Sequence, residues 1–198
     1  MEERFVVHKD KATRANIICK NTMIMLSKRV IFENNKPINY FNVETSVWED
    51  KGDDTYFTTS SKGDTYILKI FFTKLTSAGQ YSPINDFLKE YASEYKIIVA
   101  PEYNSKIYEG NLHNTQFFKE SILLQDILSY RDQPRFEILS PQEIIDFKKA
   151  YSATEYTIPK YTRSDPVVRY FALKKGDIVR IIRPSPTSGE SVAYRIVN

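Results

Sequence analysis

The chain of 198 residues carries 28 Lys or Arg against 25 Asp or Glu, and 41% of its residues are hydrophobic. This length and composition can build a core in one larger domain or two small ones. No run of about 18 apolar residues occurs, the N-terminus lacks a signal-peptide apolar region, and the single Cys19 fits a reducing compartment. We therefore expect a soluble intracellular protein without a membrane partner.

Helix and strand patterns alternate along the first two-thirds of the chain. In order they are a helix over 11–26, an irregular or hairpin-rich insertion over 34–64, a strand over 65–72, a helix over 83–95, a buried strand over 96–100, and a helix from Asn114 or Thr115 to Leu128. Strand, helix and strand in this order predict an α/β unit with a partly parallel sheet.

Helix-capping residues mark the C-terminal third. After a strand over 135–139, Ser140 and Glu143 stand at the two positions of a capping box, with a proline at the first helical position between them. Asp165 and a following proline predict the start of a second, short helix, and Gly176 can end it in the left-handed conformation. This part should contain two capped helices.

A hairpin should follow directly. The β-branched residues of 178–182 predict a strand that Pro184 stops, and the alternating residues 192–197 predict the returning strand. From Pro159 onward the chain has eight Lys or Arg and three acidic residues, a net charge of +5. This basic end suggests contact with acidic protein or with nucleic acid, although a solvated hairpin would also account for the charge.

The segment from 159 to 195 resembles the C-terminal domain of the subunit shared by eukaryotic nuclear RNA polymerases, a family that also has archaeal members. The residues that carry the resemblance are Pro159, Asp165, Pro166, Val167, Arg169, Tyr170, Phe171, Lys174, Gly176, Val179, Ile181, Ile182, Arg183, Pro184, Ser185, Thr187, Gly189, Tyr194 and Arg195. The spacing of its elements extends the resemblance upstream to Ser140. The family usually has glycine at Ala172, an acid at Pro186, and a basic and aromatic pair at Glu190 and Ser191.

The resemblance implies the fold class and the domains. We expect an α/β plus α+β protein: an N-terminal jaw domain over 1–132, with a nuclease-like mixed sheet and helices, and a small helix-plus-β-hairpin assembly domain over 133–198. Archaeal members lack the jaw, so its presence implies a eukaryotic or viral lineage. The protein would lie in the nucleus if cellular, and in the host cytoplasm (virus factory) and the virion if it comes from a large DNA virus.

The resemblance also implies partners and site residues. The C-terminal domain should dock on the largest polymerase subunit, and the jaw should contact downstream double-stranded DNA. The subunit interface, or its immediate support, is assigned to Arg169, Tyr170, Lys174, Lys175, Arg180, Arg183, Tyr194 and Arg195. DNA contacts are assigned to Asn104, Ser105 and Lys106, whose amide, hydroxyl and ammonium groups suit phosphates. An exposed turn is the simpler alternative for this loop.

Catalysis is not expected. Glu94, Tyr95 and Lys96 match the Glu-x-Lys triplet of metal-dependent nucleases, with Asp86 upstream, but Asp86 and Glu94 lie in a helical pattern rather than on two strands. Two histidines and one cysteine lack zinc-site spacing, and no phosphate-binding glycine loop occurs. We expect no catalytic residue, metal, cofactor or small-molecule substrate, and predict a non-catalytic polymerase subunit. The alternative is a free-standing DNA-binding transcription regulator.

Overall fold

The computed structural model describes residues 10–75, 83–104, 114–129 and 133–198. The chain divides into two compact units, the first made of Met1–Ile24 with Val43–Ile127 and the second of Met25–Asn42 with Leu128–Asn198. Residues 25–42 thus group with the C-terminal part. The division at residue 133 remains a prediction about the domains.

Helix α1 spans Lys11–Lys28, as the apolar spacing predicts. Its start is capped by Asp10, whose carboxylate accepts a hydrogen bond from the backbone N–H of Thr13 at 3.3 Å. One face of the helix is buried, and its buried residues are Ala15, Ile18, Thr22, Met23, Met25 and Leu26. The core contacts of this face, rather than its local propensity, stabilise the helix.

The first unit contains a five-stranded mixed sheet. Its strands are β3 (Glu49–Asp50), β4 (Thr55–Thr59), β5 (Thr65–Ile70), β6 (Tyr95–Ala100) and β7 (Thr115–Lys119), in that spatial order. The pairs from β3 to β5 are antiparallel, and those from β5 to β7 are parallel. Helix α2 (Pro83–Glu90) connects β5 to β6, so the predicted strand, helix and strand unit is confirmed.

The helix expected over 115–128 is wrong. Thr115–Lys119 forms β7, and only Glu120–Leu123 forms a helix, α3. Phe117 and Phe118 are both buried because β7 packs on both of its faces and pairs along β6. A short apolar run buried on two sides has no period-two alternation, so the spacing of Phe118 and the later apolar residues resembled a helix.

The second unit contains a hairpin and a four-stranded sheet. Strands β1 (Ile31–Glu33) and β2 (Lys36–Ile38) join through Asn34 and Asn35, whose positive φ angles of 51° and 61° suit a tight hairpin turn. The sheet consists of β8 (Arg135–Ile138), β9 (Lys160–Tyr161), β10 (Ile178–Ser185) and β11 (Gly189–Val197), in the order β8-β10-β11-β9. The predicted C-terminal hairpin is its centre.

Both predicted caps are present. Helix α4 (Pro141–Ala150) begins with the capping box, in which Ser140 N–H donates to the Glu143 carboxylate at 2.8 Å and Glu143 N–H donates to the Ser140 hydroxyl at 3.3 Å. These bonds hold the pKa of Glu143 below its usual value. Helix α5 (Pro166–Tyr170) is capped by Asp165, which accepts from Val167 N–H at 2.9 Å. Gly176 has the expected positive φ, 93°, but the expectation that it ends this helix is wrong. The helix ends at Tyr170, and Ala172, with a φ of 53°, is the left-handed residue that follows it.

The expectation that Pro184 ends its strand is wrong, because β10 continues to Ser185 and pairs Pro184 with Glu190. Strand β8 pairs with β10 only as far as Ile182, opposite Arg135. Pro184 therefore lies where the ladder has only two strands, and a proline is tolerated at such an edge. The hairpin is longer than the sequence predicts.

The second sheet is covered on both faces. On one face Val179 and Ile181 pack with Val168 of α5. On the other, Ile178 and Ile196 form a cluster against which Ile144 and Phe147 of α4 pack, together with Leu139 and Ile158. The two faces therefore present different side chains of the same hairpin.

Candidate interaction surfaces

The basic residues of the hairpin lie on opposite faces of the sheet. Arg180 pairs across the strands with Tyr194, on the face that carries α4. Arg195 pairs with Val179, and Arg183 with Ser191, on the face that carries α5. Alternation along a strand separates neighbouring positions in this way. The predicted interface residues therefore do not form one continuous patch on the hairpin.

Arg180 is held by contacts within its own unit. Its guanidinium donates to the Tyr194 hydroxyl at 3.3 Å and to the Glu137 carboxylate at 3.2 Å, and lies 5.7 Å from the Tyr194 ring centroid. The hydrogen bonds to Tyr194 and Glu137 raise the pKa of Arg180. Arg180 and Tyr194 thus support the hairpin whether or not they also contact a partner.

The basic residues on the α5 side are more accessible. Arg183, Lys174 and Lys175 are exposed, while the Arg195 guanidinium stacks 4.8 Å from the centroid of the Tyr161 ring. Lys174 donates its backbone N–H to the Asp177 carboxylate, which fixes the turn after α5. The charged groups of Arg183, Lys174 and Lys175 are therefore exposed to solvent.

Arg169 and Tyr170 occupy the end of α5. Tyr170 is only 2% exposed and packs edge-on against Phe171, so this predicted interface residue is a core residue that supports the surface. Arg29, just after α1, donates to the carbonyl oxygens of Tyr170 at 2.9 Å and of Arg169 at 3.3 Å. The guanidinium thereby adds hydrogen bonds at the C-terminal end of this helix, where carbonyls lack helical partners.

An aromatic cluster on the α4 side was not predicted. The ring centroids of Phe147 and Tyr194 are 4.3 Å apart. The centroid of the Tyr151 ring is 5.1 Å from that of Phe147 and 6.2 Å from that of Tyr194. Tyr151 is 68% exposed. The i, i+4 spacing of Phe147 and Tyr151 was a visible signal for half of this cluster, but the cross-contact to Tyr194 depends on the fold.

Only one of the predicted DNA-contact residues is described. Asn104 is exposed and follows the bridge between Leu75 and Tyr103, and its backbone N–H donates to the Leu75 carbonyl at 3.3 Å. Ser105 and Lys106 lie outside the described residues. The assignment of this loop to DNA remains a prediction.

The Glu-x-Lys triplet serves the fold. Lys96 is the second residue of β6 and is 3% exposed, and its ammonium donates to the carbonyl oxygens of Tyr91 at 2.7 Å and Glu94 at 2.8 Å. The helical position expected for Glu94 is wrong, because α2 ends at Glu90 and Glu94 lies between it and β6. Burial lowers the pKa of Lys96. The ammonium therefore caps the segment after α2 rather than facing an open site, and Asp86 lies on α2 itself.

Two further findings bear on the kind of site present. Within the described ranges, no group of three or more His, Cys, Asp or Glu side chains could hold a metal ion. Nor does any helix in those ranges have the length and apolarity needed to cross a membrane.

In the first unit, Glu120 is buried and forms a paired contact with Arg14, which ties α3 to α1.

Comparison with known proteins decides the family. The chain is 43% identical over 195 residues to "DNA-directed RNA polymerase subunit 5" of Acanthamoeba polyphaga mimivirus, an alignment that covers 96% of this chain and 95% of that protein. The profile of the RNA polymerase Rpb5 C-terminal domain matches residues 125–197. The chain belongs to the RNA polymerase subunit 5 family. The resemblance to the shared polymerase subunit is thus confirmed.

Two cellular relatives match a smaller share of the chain. "DNA-directed RNA polymerase subunit Rpo5" of Methanocaldococcus jannaschii is 42% identical over 64 residues, which is 32% of this chain and 82% of that protein. "DNA-directed RNA polymerases I, II, and III subunit rpabc1" of Dictyostelium discoideum is 34% identical over 79 residues, 40% of each chain.

Proposed function

We propose that this chain is a non-catalytic subunit of a DNA-directed RNA polymerase. Its C-terminal unit docks on the largest subunit, and its N-terminal jaw faces downstream DNA. The observation that carries the proposal is the alignment over 96% of the chain with the mimivirus polymerase subunit. Transcription takes place in the virus factory of an infected cell, or in the nucleus if the source is cellular.

The docking surface uses the exposed cations on the α5 side of the hairpin. Arg183 is exposed there, and Lys174 and Lys175 follow α5. An arginine fork can form paired hydrogen bonds with a carboxylate, so an acidic surface of the largest subunit is the expected complement. Arg180 and Tyr194 contribute indirectly, because their mutual contact and the Glu137 bond keep β8, β10 and β11 aligned.

The test is recovery of the tagged chain from its native cells, with mass spectrometry and a nucleotide-incorporation assay on the eluate. Stoichiometric recovery of the two very large polymerase subunits with RNA synthesis is expected. In the same assay Arg183→Glu should weaken incorporation into the complex about tenfold, equal to about 1.4 kcal/mol. Arg180→Glu is a poorer test, since it would also break the Glu137 contact.

The control is Lys149→Glu, which reverses an exposed charge on α4 outside the predicted interface. Circular dichroism should show that both variants are folded. Normal assembly of Arg183→Glu would remove Arg183 from the interface. Recovery with DNA but without polymerase would instead favour a free-standing DNA-binding regulator.

The jaw contributes affinity for DNA without sequence reading. Asn104 is exposed and lies in the segment after β6. Ser105 and Lys106 are the next two residues in the sequence. Lys106→Glu should reduce the salt dependence of polymerase retention on DNA, because each lost phosphate contact lowers the slope of log K against log salt by about 0.9. Lys62→Glu, in the exposed turn before β5, is the control. An unchanged slope for Lys106→Glu would exclude this contact.

A further inference from the structure

A small cleft lies beside β9 in the second unit, and Ile196, on the sheet face that carries α4, is among its lining residues. Its volume is about 180 Å³. Four side chains line it, those of Glu155, Tyr156, Lys160 and Lys175, together with Gly176 and Val197. Gly176 N–H donates to the Val197 carbonyl at 2.9 Å, which fixes the floor. A Cβ at Gly176 would meet no atom within 4 Å, so the space above the floor is open.

Tyr156 stands at the rim of this cleft with its ring in solvent. It is 90% exposed, the highest value among the exposed large hydrophobic side chains of the described residues. The Lys160 ammonium lies 5.8 Å from the centroid of the ring. Tyrosine is enriched where binding energy concentrates in protein interfaces, because a large rigid ring loses little conformational freedom on contact.

Two lysine side chains, Lys160 and Lys175, bring positive charge to the cleft. Neither Lys160 nor Lys175 forms an ion pair with any residue of the described part of the chain. The neighbouring acids along the sequence are used locally, since Asp165 accepts from Val167 N–H and Asp177 from Lys174 N–H. The two ammonium groups are therefore available to carboxylates of a partner.

The edge of the sheet favours an extended occupant. Strand β9 is an edge strand, and the carbonyls of Pro159 and Tyr161 accept from Ile196 and Asn198 of the β11 side. Alternation along the strand therefore directs the backbone groups of Lys160 outward, where an extended chain can run beside them. Pairing with these backbone groups requires a peptide, which disfavours nucleic acid as the occupant.

We propose that this cleft binds an extended acidic segment of another polymerase subunit, with carboxylates on Lys160 and Lys175 and an apolar side chain against Tyr156. This contact rests on the proposed function and extends its docking surface. Lys175 belongs to both, whereas Tyr156 and Lys160 belong to the cleft alone. It makes the segment around residue 156, which the family resemblance did not single out, part of the assembly surface.

The test places the photoreactive residue p-benzoylphenylalanine at position 156 of the full chain, in the polymerase assembled in its native cells. Irradiation should cross-link position 156 to a polymerase subunit, at a peptide that contains at least two Asp or Glu. Cross-linking to DNA or RNA, to a peptide without acidic residues, or to no other chain would overturn the proposal.

Charge reversal gives an independent measurement on the same complex. Lys160→Glu and Lys175→Glu should each lower incorporation about threefold or more, while Lys149→Glu on α4 should have no effect. Incorporation of both cleft variants at the level of the unaltered chain would overturn the cleft as a binding site. If the unaltered chain itself failed to purify with a polymerase, the proposed function would fail instead, so the two failures are distinguishable.

Discussion

Ala172 has a backbone φ of 53°, in the left-handed region that alanine adopts at a cost of about 1–2 kcal/mol. It follows the end of α5, where its N–H donates to the Arg169 carbonyl and the N–H of Leu173 donates to Val168. This pair of bonds is a helix-ending motif whose left-handed residue is usually glycine. A glycine at this position would therefore avoid the strain.

Ala172→Gly should raise the free energy of unfolding by about 0.5–1 kcal/mol, since relief of the left-handed strain exceeds the greater entropy loss of glycine. Urea denaturation of the full chain measures the change. Ala150→Gly, at the last residue of α4, is the control and should destabilise by up to about 1 kcal/mol. A midpoint for Ala172→Gly at or below that of the unaltered chain would contradict the strain argument.

Residue roles could be predicted from the sequence where the chemistry is local. The caps at Ser140 and Asp165 were identified because a cap and its partner lie within three positions. The internal bond between Arg180 and Glu137 could not be, because 43 positions separate the two residues. Tyr170, assigned to the interface or to its immediate support, is buried, so its place in that assignment is support.

At the scale of elements, α5 depends on a residue far away in the sequence. Arg29 donates to the carbonyls of Arg169 and Tyr170, so a guanidinium completes the C-terminal end of a five-residue helix. Such a short helix has few internal hydrogen bonds and would be marginal alone. The hairpin β1-β2, which follows Arg29 directly, belongs to the same unit.

Arg29→Ala should therefore destabilise the second unit by about 1–3 kcal/mol, the range for lost hydrogen bonds from a charged donor. Hydrogen exchange should speed up first at the backbone amides of α5. Arg29→Lys keeps the positive charge but loses the planar guanidinium fork. Its stability should therefore lie between that of the unaltered chain and that of Arg29→Ala. Unaltered exchange at α5 in Arg29→Ala would show that the contact does not stabilise the helix.

Elements were predicted best where one pattern had one interpretation. The helix α1 and the strands β5 and β6 follow from spacing alone, whereas β7 was taken for a helix because its central residues are buried on both sides. The extension of β10 through Pro184 depends on where β8 ends, which is a property of the assembled sheet. Pairing partners, not local propensity, decided both cases.

At the scale of the whole molecule, the sequence indicated the polymerase family, and its division of the chain at residue 133 remains a prediction. The resemblance over the C-terminal segment is confirmed by the match to residues 125–197 and by the viral relative. The grouping of residues 25–42 with the C-terminal unit has no local signal, because it is made by contacts between distant segments. The interface and DNA residues stay predictions until they are tested in the complex.

The two-segment composition of the second unit has a consequence for the order of synthesis. Residues 25–42 are the first part of the second unit to leave the ribosome. The 85 residues from Val43 to Ile127, which belong to the first unit, follow before the rest of the second unit begins to emerge. At about 5–20 residues per second the early segment waits roughly 4–17 s for its partner strands. During that interval Arg29 has no helix end to bind, so the first unit can fold while the second unit is still incomplete.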